Sequence, residues 1–319
     1  MSRVLVTGGA GFIGSHLVDR LVFDGHIVTV LDNLATGLEH NLDGVKDKIR
    51  FVNGDIRHLE TVRACVENQE IIFHQAALGS VPRSIADPIT SNAVNVDGTL
   101  NLLTAAKDAG IKRFLYASSS SVYGDTPTLP KVETMPTKPQ SPYALTKLAA
   151  EEYCRIFCQV YGLETVALRY FNVFGPRQRP DSQYAAVIPK FITAILADQS
   201  PVINGDGHHS RDFTYVENNV HANMLAAFAP AENVAGRVFN IACNQQYSLL
   251  ELIATINKIT QKSIAPNFQS DRIGDVKHSR ADILQATFEF NYSPTTQFYD
   301  GMASTVKAFL RSKNMAITK

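Results

Sequence analysis

A tyrosine and a lysine at helical spacing are the residues best suited to chemistry in this sequence. Tyr143 and Lys147 are four residues apart in a segment whose pattern predicts a helix, so both side chains lie on one face. An ammonium beside a phenol favours the phenolate, and we expect Lys147 to lower the pKa of Tyr143 toward neutrality. A tyrosine with such a lowered pKa can accept the proton of a substrate hydroxyl while a hydride leaves the carbon that carries this hydroxyl.

Four consecutive serines supply hydroxyl groups for the same chemistry. They occupy positions 118–121, directly after an apolar run that predicts a strand, and are followed by Val122-Tyr123-Gly124. Open α/β sheets bind their ligands at the carboxyl ends of strands. Serine runs are also a turn signal, so we expect at least two of the four to serve only the backbone.

A glycine-rich turn near the start of the chain has the spacing of a dinucleotide site. Gly9, Gly11 and Gly14 match G-x-G-x-x-G, and a wider G-x-x-G-x-x-G begins at Gly8. The glycines allow a tight turn and close approach to a pyrophosphate, and the following helix offers N–H groups at its start. The motif is weak by itself, but here it lies between a predicted strand and a predicted helix.

Asp32 ends the second predicted strand, 18 residues after Gly14. A carboxylate there accepts both ribose hydroxyls of an adenosine and repels a 2′-phosphate, and no arginine occurs at 33–36. We therefore expect NAD rather than NADP, and a surface aspartate in a turn is the alternative interpretation. Asp55 and Ile56, after the third predicted strand, either flank the adenine or form a turn.

The elements that must position these residues alternate between strand and helix. Patterns predict strands at 3–7, 26–32, 49–52, 71–76, 114–117 and 165–168, with helices at 12–24, 92–109 and 142–161. Such alternation implies a parallel sheet with right-handed crossovers. We predict an α/β fold, with a Rossmann doubly wound parallel sheet and a smaller C-terminal α/β lobe for the substrate.

The helix predicted at 142–161 has clear boundaries. Ser141 is a suitable N-cap, Pro142 fits the first helical position, and Gly162 is placed to end the helix. Its pattern predicts an apolar stripe made of Leu145, Leu148, Ala149, Ile156, Phe157 and Val160.

The second half of the chain is organised differently. After about residue 170 the alternation loosens, and prolines at 176, 180, 189 and 201 interrupt it. We predict a NAD-binding domain at 1–170 and a mainly substrate-binding lobe at 171–319, with some segments returning to the first domain.

The composition excludes several function classes. The 319 residues carry no net formal charge, so no overall field attracts nucleic acid or an anionic membrane. No secretory signal pattern and no membrane-spanning apolar run occurs, and the four cysteines are too sparse for a disulfide framework. No His or Cys cluster completes a metal site. We expect a cytoplasmic protein without a metal.

Together these motifs resemble the extended short-chain dehydrogenase/reductase family. The resemblance extends over essentially the whole chain and rests on segments 7–14, 118–124, 143–147 and 169–172, together with Asp32. Within the family the chain looks most like UDP-hexose 4-epimerases. Segments 79–84 and 210–213 resemble the UDP-N-acetylglucosamine 4-epimerases of bacterial polysaccharide pathways. The resemblance implies NAD as the cofactor and a UDP-sugar as the substrate.

The resemblance implies a role for each matching residue. Ser119 would be the active-site serine, Tyr143 the base, and Lys147 the residue that holds the nicotinamide ribose. Cofactor contacts would come from Gly8, Gly11, Phe12, Ile13, Gly14, Asp32, Asn33, Asp55, Ile56, Gln75, Ala76, Ala77, Asn95, Tyr143, Lys147, Tyr170 and Phe171. Substrate contacts would come from Ser80, Arg83, Ser119, Ser120, Ser121, Tyr143, Asn172, Ala186, Val187, Asn204, Arg211, Arg272, Asp275 and Ser279.

Two positions bear on which reaction of the family this chain performs. Sugar 4,6-dehydratases carry an Asp-Glu pair in the loop after Ser119 and decarboxylases carry a glutamate there, whereas this chain has only serines at 119–121. The resemblance therefore implies oxidation at C4 followed by hydride return. Ser279 stands at a gatekeeper position where a small residue leaves room for an N-acetyl group. A cap for the following segment is the alternative role of Ser279.

Three alternatives stay open at this point. The substrate could be UDP-glucose or UDP-glucuronate, and the enzyme could be a net oxidoreductase that releases NADH. A non-catalytic NAD-sensing or scaffold protein would use the same fold. By resemblance alone we also expect a homodimer that pairs through a four-helix bundle, made from the helices at 92–109 and 142–161.

Overall fold

The computed structural model describes residues 1–180, 186–270 and 277–317, with side chains up to Arg311. The strands in chain order are β1 Arg3–Thr7, β2 Ile27–Asp32, β3 Ile49–Asn53, β4 Ile71–His74, β5 Arg113–Ser119, β6 Glu164–Tyr170, β7 Val173–Phe174, β8 Val202–Asn204, β9 Ser210–Arg211, β10 Thr214–Tyr215, β11 Arg237–Ile241, β12 Tyr247–Ser248 and β13 Asn267–Gln269. The predicted substrate residues Arg272 and Asp275 lie outside the described residues.

The helices surround these strands and extend into the second half of the chain. They are α1 Phe12–Phe23, α2 Leu59–Val66, α3 Val81–Ala86, α4 Pro88–Asn92, α5 Gly98–Asp108, α6 Pro142–Tyr161, α7 Val187–Leu196, α8 Val216–Phe228, α9 Ala231–Val234, α10 Leu249–Thr260, α11 Leu284–Phe290 and α12 Phe298–Ile317. Among the described helices, none is long and apolar enough to cross a membrane.

Seven parallel strands form the central sheet in the order β11-β6-β5-β4-β1-β2-β3. The chain builds outward from β1 in one direction and then from β4 in the other. Strand order therefore reverses between β1 and β4, which is where open α/β sheets bind ligands. The predicted doubly wound Rossmann sheet is confirmed.

Alternating residues of the strands pack into two separate cores. In β1, Val4 and Val6 belong to a core that also contains residues of α1, α8 and α11, whereas Leu5 belongs to a second core with residues of α2, α5 and α6. All three side chains are fully buried. A strand covered on both faces reads as a continuous apolar run, and this explains why the strands were recognisable in the sequence.

Helix α6 begins and ends at the predicted residues but does not bury the predicted stripe. Phe157 is buried, whereas Leu145, Ile156 and Val160 are 57%, 39% and 63% exposed. The buried face instead consists of Ala144, Thr146, Lys147, Ala150, Glu151, Cys154 and Phe157. The reason is that α6 turns its charged site residues toward the sheet, which leaves its large apolar residues on the outside.

The helix predicted at 92–109 contains a wide turn that its pattern did not indicate. Residues Ala93–Asp97 form a turn of π-helix between α4 and α5. Such turns are frequent at functional sites. Asn95, within this turn, reaches out of the helix with its side chain, as described below.

Residues after 170 divide between two places. Strand β11 returns to the central sheet beside β6, and α8 packs on α1. A third apolar core forms elsewhere from α7, α10, α12 and the short strands, with Phe174, Ile192, Ile203, Leu252 and Met302 among its members. This core supports the polar residues that the sequence assigned to the substrate.

Candidate active site

One cavity of about 400 Å³ opens at the carboxyl ends of the central strands. Most of the predicted cofactor residues line it, namely Gly8, Gly11, Phe12, Ile13, Gly14, Asp32, Asn33, Asp55, Ile56, Gln75, Ala76, Ala77, Tyr143, Lys147 and Tyr170. The described lining leaves out Asn95, Phe171 and Ser119. The cavity thus lies at the reversal of strand order and reaches the Tyr–Lys pair.

The glycine-rich turn allows no side chain at two of its positions. Gly8 has φ +70, and a Cβ there would lie 2.6 Å from the backbone nitrogen of Ala76. A Cβ on Gly14 would lie 2.1 Å from the carbonyl oxygen of Gly8. Helix α1 starts at Phe12 without a side-chain cap from the described residues, so its first N–H groups face the cavity side of the turn. This is a cradle for an anion at a helix start.

Asp32 is held in place by two backbone N–H groups. Its Oδ2 accepts from the Ala10 nitrogen at 2.9 Å, and its Oδ1 accepts from the Leu34 nitrogen at 2.8 Å. Burial raises the pKa of the carboxyl group, and both hydrogen bonds oppose that rise. Because each carboxylate oxygen can accept more than one hydrogen bond, each oxygen of Asp32 can also accept one from a ribose hydroxyl.

Arg57 is a cavity residue that the sequence analysis missed. Its Nη2 and Nε donate to the two oxygens of Asp55 at 2.7 and 3.0 Å, and Asn33 Nδ2 donates to Asp55 at 2.8 Å. The guanidinium holds the pKa of the Asp55 carboxyl well below its usual range. No arginine occurs at 33–36, but the sheet brings Arg57 to the same wall of the cavity. The ion pair with Asp55 balances the positive charge of Arg57.

A buried histidine links the end of β1 to the start of α5. His74 Nδ1 lies 2.7 Å from Thr7 Oγ1, and its Nε2 lies 2.8 Å from Thr99 Oγ1. Burial lowers the pKa of His74 to about 3, so the ring is neutral. Asn95 does not line the cavity, but its side chain accepts from the Leu78 nitrogen at 2.8 Å and donates to the Leu78 carbonyl at 3.2 Å. Asn95 therefore fixes the backbone of Leu78, which lines the cavity.

The two aromatic residues predicted beside the nicotinamide have different positions. Tyr170 lines the cavity, and its hydroxyl bonds Asn223 Nδ2 at 2.6 Å and Gln75 Nε2 at 3.1 Å. Phe171 is fully buried and packs against Tyr123 behind the wall, with 6.2 Å between ring centres. The structure therefore does not bring Phe171 to the cavity, because successive residues at the end of β6 point in opposite directions.

Local capping positions the tyrosine at the start of α6. Ser141 accepts from the Ala144 nitrogen at 3.2 Å, and Pro142 occupies the first turn as predicted. Ser84, on α3, accepts from the Tyr143 nitrogen at 2.9 Å. Helix α6 is thus anchored at its N-terminus by two serines, one at its own cap and one on α3.

Lys147 is buried and bonded to the end of β5. Its Nζ donates to the Ala117 carbonyl at 2.8 Å and lies 5.0 Å from the centre of the Tyr116 ring. Burial lowers the pKa of Lys147 to about 8. At neutral pH the group remains mainly an ammonium.

The prediction that Lys147 lowers the pKa of Tyr143 toward neutrality is not met in this state of the chain. Burial raises the pKa of the Tyr143 phenol, and a side-chain hydrogen bond with Ser119 acts in the opposite direction. The helical spacing shows only that the two side chains share a face. It does not reveal how strongly the surrounding protein excludes water from the phenol.

The hydroxyls of the serine run have different partners. Ser119 bonds Tyr143, and it also accepts from the Ser121 nitrogen at 3.2 Å and the Ser121 hydroxyl at 2.9 Å. Ser120 starts the short turn that follows. Ser118 lines the cavity and donates to Glu151 at 2.6 Å, a contact with no counterpart in the sequence analysis.

Strand β9 brings three predicted substrate residues together. The Ser210 carbonyl accepts from Arg211 Nη1 at 3.0 Å and from the Ser279 nitrogen at 3.0 Å. Asn172 donates to the carbonyl of Asp212, the next residue, at 3.2 Å. The Asp212 carboxylate is buried, which raises its pKa to about 7. Ser279 is itself buried.

The other predicted substrate residues lie on separate elements. Ser80 caps α3, where it accepts from the Arg83 nitrogen at 3.3 Å. Ala186 and Val187 begin α7, and Asn204 ends β8. At the start of α11 the Leu284 nitrogen donates to Asp282 at 2.7 Å, so Asp282 rather than Ser279 serves that turn.

Comparison with known proteins gives consistent matches over the whole chain. The model of a family described as the NAD dependent epimerase/dehydratase family matches residues 4–242. The UDP-glucose 4-epimerase of Mycolicibacterium smegmatis is 40% identical over 316 residues, which cover 98% of this chain and 99% of that protein.

Solved structures agree in fold at similar identity. The UDP-N-acetylglucosamine 4-epimerase of Methanobrevibacter ruminantium M1, in complex with UDP-N-acetylmuramic acid, is 42% identical with a TM-score of 0.92, covering 98% of this chain and 99% of that one. The UDP-glucuronic acid 4-epimerase of Bacillus cereus, in complex with UDP-glucuronic acid and NAD, is 32% identical with a TM-score of 0.89, covering 97% and 99%. The named sugars differ between relatives, whereas the fold is shared.

Proposed function

The chain belongs to the NAD-dependent epimerase/dehydratase family, and from this premise we propose that it interconverts the C4 epimers of a UDP-sugar, with UDP-N-acetylglucosamine and UDP-N-acetylgalactosamine as the preferred pair. The observation that carries the proposal is the placement of Tyr143 and Lys147 at the cofactor cavity, with Ser119 bonded to Tyr143. The relatives described above are named as 4-epimerases, which supports chemistry at C4.

NAD is the cofactor of this family, and the residues present fit it. The tight turn at Gly8 and Gly14 is possible only because neither position carries a Cβ, and it leaves the N–H groups at the start of α1 on the cavity side for a pyrophosphate. Asp32 would take the adenosine ribose, and Lys147 the nicotinamide ribose. NAD held there would supply a reversible hydride acceptor for C4, so that the hydride could return to the other face of that carbon.

The proton at the C4 hydroxyl is handled by three residues of this chain. Tyr143 takes it as the C4–H bond breaks, which leaves a 4-keto sugar, and gives it back when the bond re-forms. Tyr143 must be a phenolate before it takes the proton. Ser119 favours that form through its hydrogen bond, and the Lys147 ammonium one helical turn away would add a favourable charge. Burial acts against the phenolate, so both partners are needed.

Inversion requires that the sugar turn while the nucleotide stays bound. We assign the cofactor to residues 1–170 and the UDP group mainly to residues 171–319. Arg211 would pair with the diphosphate, since a planar guanidinium binds phosphate with two hydrogen bonds. Asn172, Asn204, Arg272 and Asp275 would complete this grip by resemblance.

Ser279 supports an N-acetylated sugar over a plain one. A short side chain at this position leaves space that a tyrosine would fill. UDP-glucose is the second candidate, because the relative from Mycolicibacterium smegmatis bears that name at 40% identity.

The exposed apolar face of α6 supports a homodimer. Leu145, Ile156 and Val160 are exposed there, and Ile85 and Ile89 are exposed on the neighbouring α3 and α4. Contiguous exposed apolar residues mark interaction surfaces, and a matching copy would cover them. Light scattering should then give twice the 35.0 kDa mass of one chain.

The decisive experiment incubates the purified protein with UDP-N-acetylglucosamine or UDP-glucose without added cofactor, followed by proton NMR of the sugar C1 and C4 signals. We expect both to convert to the galacto epimer, the acetylated sugar faster. In Ser279→Tyr, turnover of the acetylated sugar should fall by about 10-fold or more, since overpacking costs roughly 1–3 kcal/mol. Ser279→Ala is the matched control and should keep both activities.

Other outcomes favour the alternatives. Conversion of UDP-glucose alone would agree with the mechanism but reject the acetylated substrate. Intact turnover of UDP-N-acetylglucosamine in Ser279→Tyr would reject the gatekeeper role of Ser279. Steady accumulation of NADH would indicate a net oxidoreductase. Binding of NAD with no turnover of either sugar, or of UDP-glucuronate, would indicate a non-catalytic role.

A further inference from the structure

One turn beyond the catalytic lysine, helix α6 carries a buried glutamate that the proposed mechanism does not use. We propose that Glu151 is a positioning residue, which acts through Ser118 to hold the end of β5 against α6 so that the groups facing Tyr143 and Lys147 stay in register. The inference rests on the proposed function, because it assigns a role within that same site.

Glu151 accepts hydrogen bonds from two neighbouring strands. Ser118 Oγ on β5 donates to its Oε2 at 2.6 Å, and Arg169 on β6 donates from Nε to the same oxygen at 3.0 Å and from Nη2 to Oε1 at 2.5 Å. Ser118 and Arg169 are direct partners in the β5–β6 register. One carboxylate thus binds a matched pair of residues across the sheet, and all three side chains are buried.

The spacing along each element couples this contact to the chemistry. Tyr143, Lys147 and Glu151 recur every fourth residue, so they share one face of α6. On β5 the partners of Lys147 and Glu151 are consecutive, since the Ala117 carbonyl accepts from Lys147 and Ser118 donates to Glu151, and Ser119, which acts to lower the pKa of Tyr143, comes next. A shift of β5 along α6 would change all three contacts together.

The same network continues toward the substrate side. The Arg169 guanidinium lies over the Tyr123 ring at 4.6 Å, and the Tyr123 hydroxyl donates to Asn240 at 2.7 Å. Asn240 in turn donates to the carbonyl oxygens of Lys131 and Asp282. Asp282 lies three residues after Ser279, so the network joins the catalytic helix to the segment of the gatekeeper.

A buried ion pair is poorly explained by stability alone. Removing two charges from water costs about as much as their attraction returns, and apolar replacements of similar volume are often no less stable. Here the pair instead defines where one strand end lies relative to one helix. Errors of about 1 Å in such placement reduce rates roughly 100-fold.

The test compares Ser118→Ala with Thr165→Val. Thr165 is equally buried and also bonds α6, through its Oγ1 to the Cys154 carbonyl at 2.6 Å, but it lies at the other end of the strands. We expect kcat of Ser118→Ala to fall about 10-fold or more with KM nearly unchanged, because orientation rather than binding is lost. The alkaline limb of its profile of kcat against pH should move to lower pH, because the Ala117 carbonyl that stabilises the Lys147 ammonium is no longer held in place. Thr165→Val should match the parent in kcat and in the position of the alkaline limb.

A binding measurement tests the inference independently of turnover. The chain has no tryptophan, so NADH fluorescence can be followed without that background. Ser118→Ala and Glu151→Gln should both bind NADH about 5-fold or more weakly, since misplacement of Lys147 weakens a charge-assisted contact. Glu151 does not belong to the described lining of the cofactor cavity, so a loss there reports positioning. If Glu151→Gln does not fold by circular dichroism, the kcat and pH profile of Ser118→Ala against Thr165→Val decide, because Ser118 itself lines the cavity.

Two results would overturn the inference. In the first, Ser118→Ala keeps the parent kcat, pH limb and NADH affinity. In the second, it loses kcat only to the extent that Thr165→Val does, with no shift of the pH limb. If the parent protein turns over no UDP-sugar, the proposed function fails, while the NADH comparison still decides the positioning role.

Discussion

The region that we assign to the cofactor, the cofactor end, is built mainly from backbone, whereas the region that we assign to the substrate, the substrate end, is built from side chains of distant segments. At the cofactor end, Gly8 and Gly14 bring the main chain within reach of a ligand, and Asp32 is fixed by two main-chain N–H groups. At the substrate end, Arg211 and Ser279 meet only because both bond the carbonyl of Ser210.

The difference teaches why one end is easier to change than the other. A backbone cradle offers the same shape to every dinucleotide, and its residues occur in short motifs. A side-chain site can exchange one residue without disturbing its neighbours. This agrees with relatives that share the fold while their names specify different sugars.

The largest effect is expected from a methyl group in the cradle. In Gly14→Ala the Cβ would lie 2.1 Å from the Gly8 carbonyl, so the turn must open. NADH affinity should fall about 100-fold, since overpacking of this kind costs up to roughly 3 kcal/mol. Fluorescence titration of NADH measures it.

Gly44→Ala is the control for that substitution, because a Cβ at Gly44 meets no atom within 4 Å. Its affinity should stay within about two-fold of the parent, as is usual for surface substitutions. Equal affinity in both variants would show that the turn is not the cofactor cradle.

An intermediate effect is expected at the substrate end. Arg211→Lys keeps the charge but loses the planar donors, so KM for the UDP-sugar should rise about 10-fold, in line with one or two charge-assisted hydrogen bonds. The inhibition constant of UDP alone should rise in parallel. NADH affinity should not change, which separates the two ends of the cleft.

Arg155→Lys is the matched control, since Arg155 is exposed on α6 and pairs with Glu152. A rise in KM without a rise in the UDP inhibition constant would move the Arg211 contact from the nucleotide to the sugar. No rise in either would contradict the assignment of the diphosphate to Arg211.

The smallest effect is expected in how the free energy of unfolding depends on pH. One buried group at each end should contribute to this dependence, and the two contributions should have opposite signs. His74 has a pKa lowered to about 3 by burial, so the unfolded chain binds the extra proton below its ordinary value of 6.5 and stability rises with pH between these values. Asp212 has a pKa raised to about 7 from 3.8, so the folded chain holds the extra proton and stability falls as pH rises between them.

Urea unfolding of His74→Gln and Asp212→Asn from pH 4 to 6.5 tests this contrast. Relative to the parent, His74→Gln should lose stability with rising pH and Asp212→Asn should gain it, each by at most about 1.4 kcal/mol per pH unit. Parallel slopes in the two variants would contradict the opposite protonation states of the two groups.

Much of the cofactor end could be predicted from sequence because its determinants are local. Strands buried on both faces give continuous apolar runs, and Ser141, Pro142 and Gly162 mark helix α6 by the chemistry of its caps. Arg57 was missed because its place in the cavity depends on the pairing of β3 with β2, which no short window contains.

Other features depend on tertiary context. Leu145, Ile156 and Val160 were taken together with Phe157 as one stripe, yet the three are exposed because α6 turns Lys147 and Glu151 to the sheet. The π-helical turn around Asn95 follows from bonds to Leu78 and Thr146, 17 and 51 residues away. The raised pKa of Tyr143 reflects burial, which the Tyr–Lys spacing does not contain.

The most direct test of the central claim follows a labelled hydrogen. UDP-N-acetylglucosamine carrying deuterium at C4 is incubated with the protein in ordinary water, without added cofactor, and the epimer is analysed by mass spectrometry and NMR. Our account predicts that the product keeps deuterium at C4, because the hydride that leaves is the one that returns. Replacement by hydrogen from water, or no conversion at all, would contradict it.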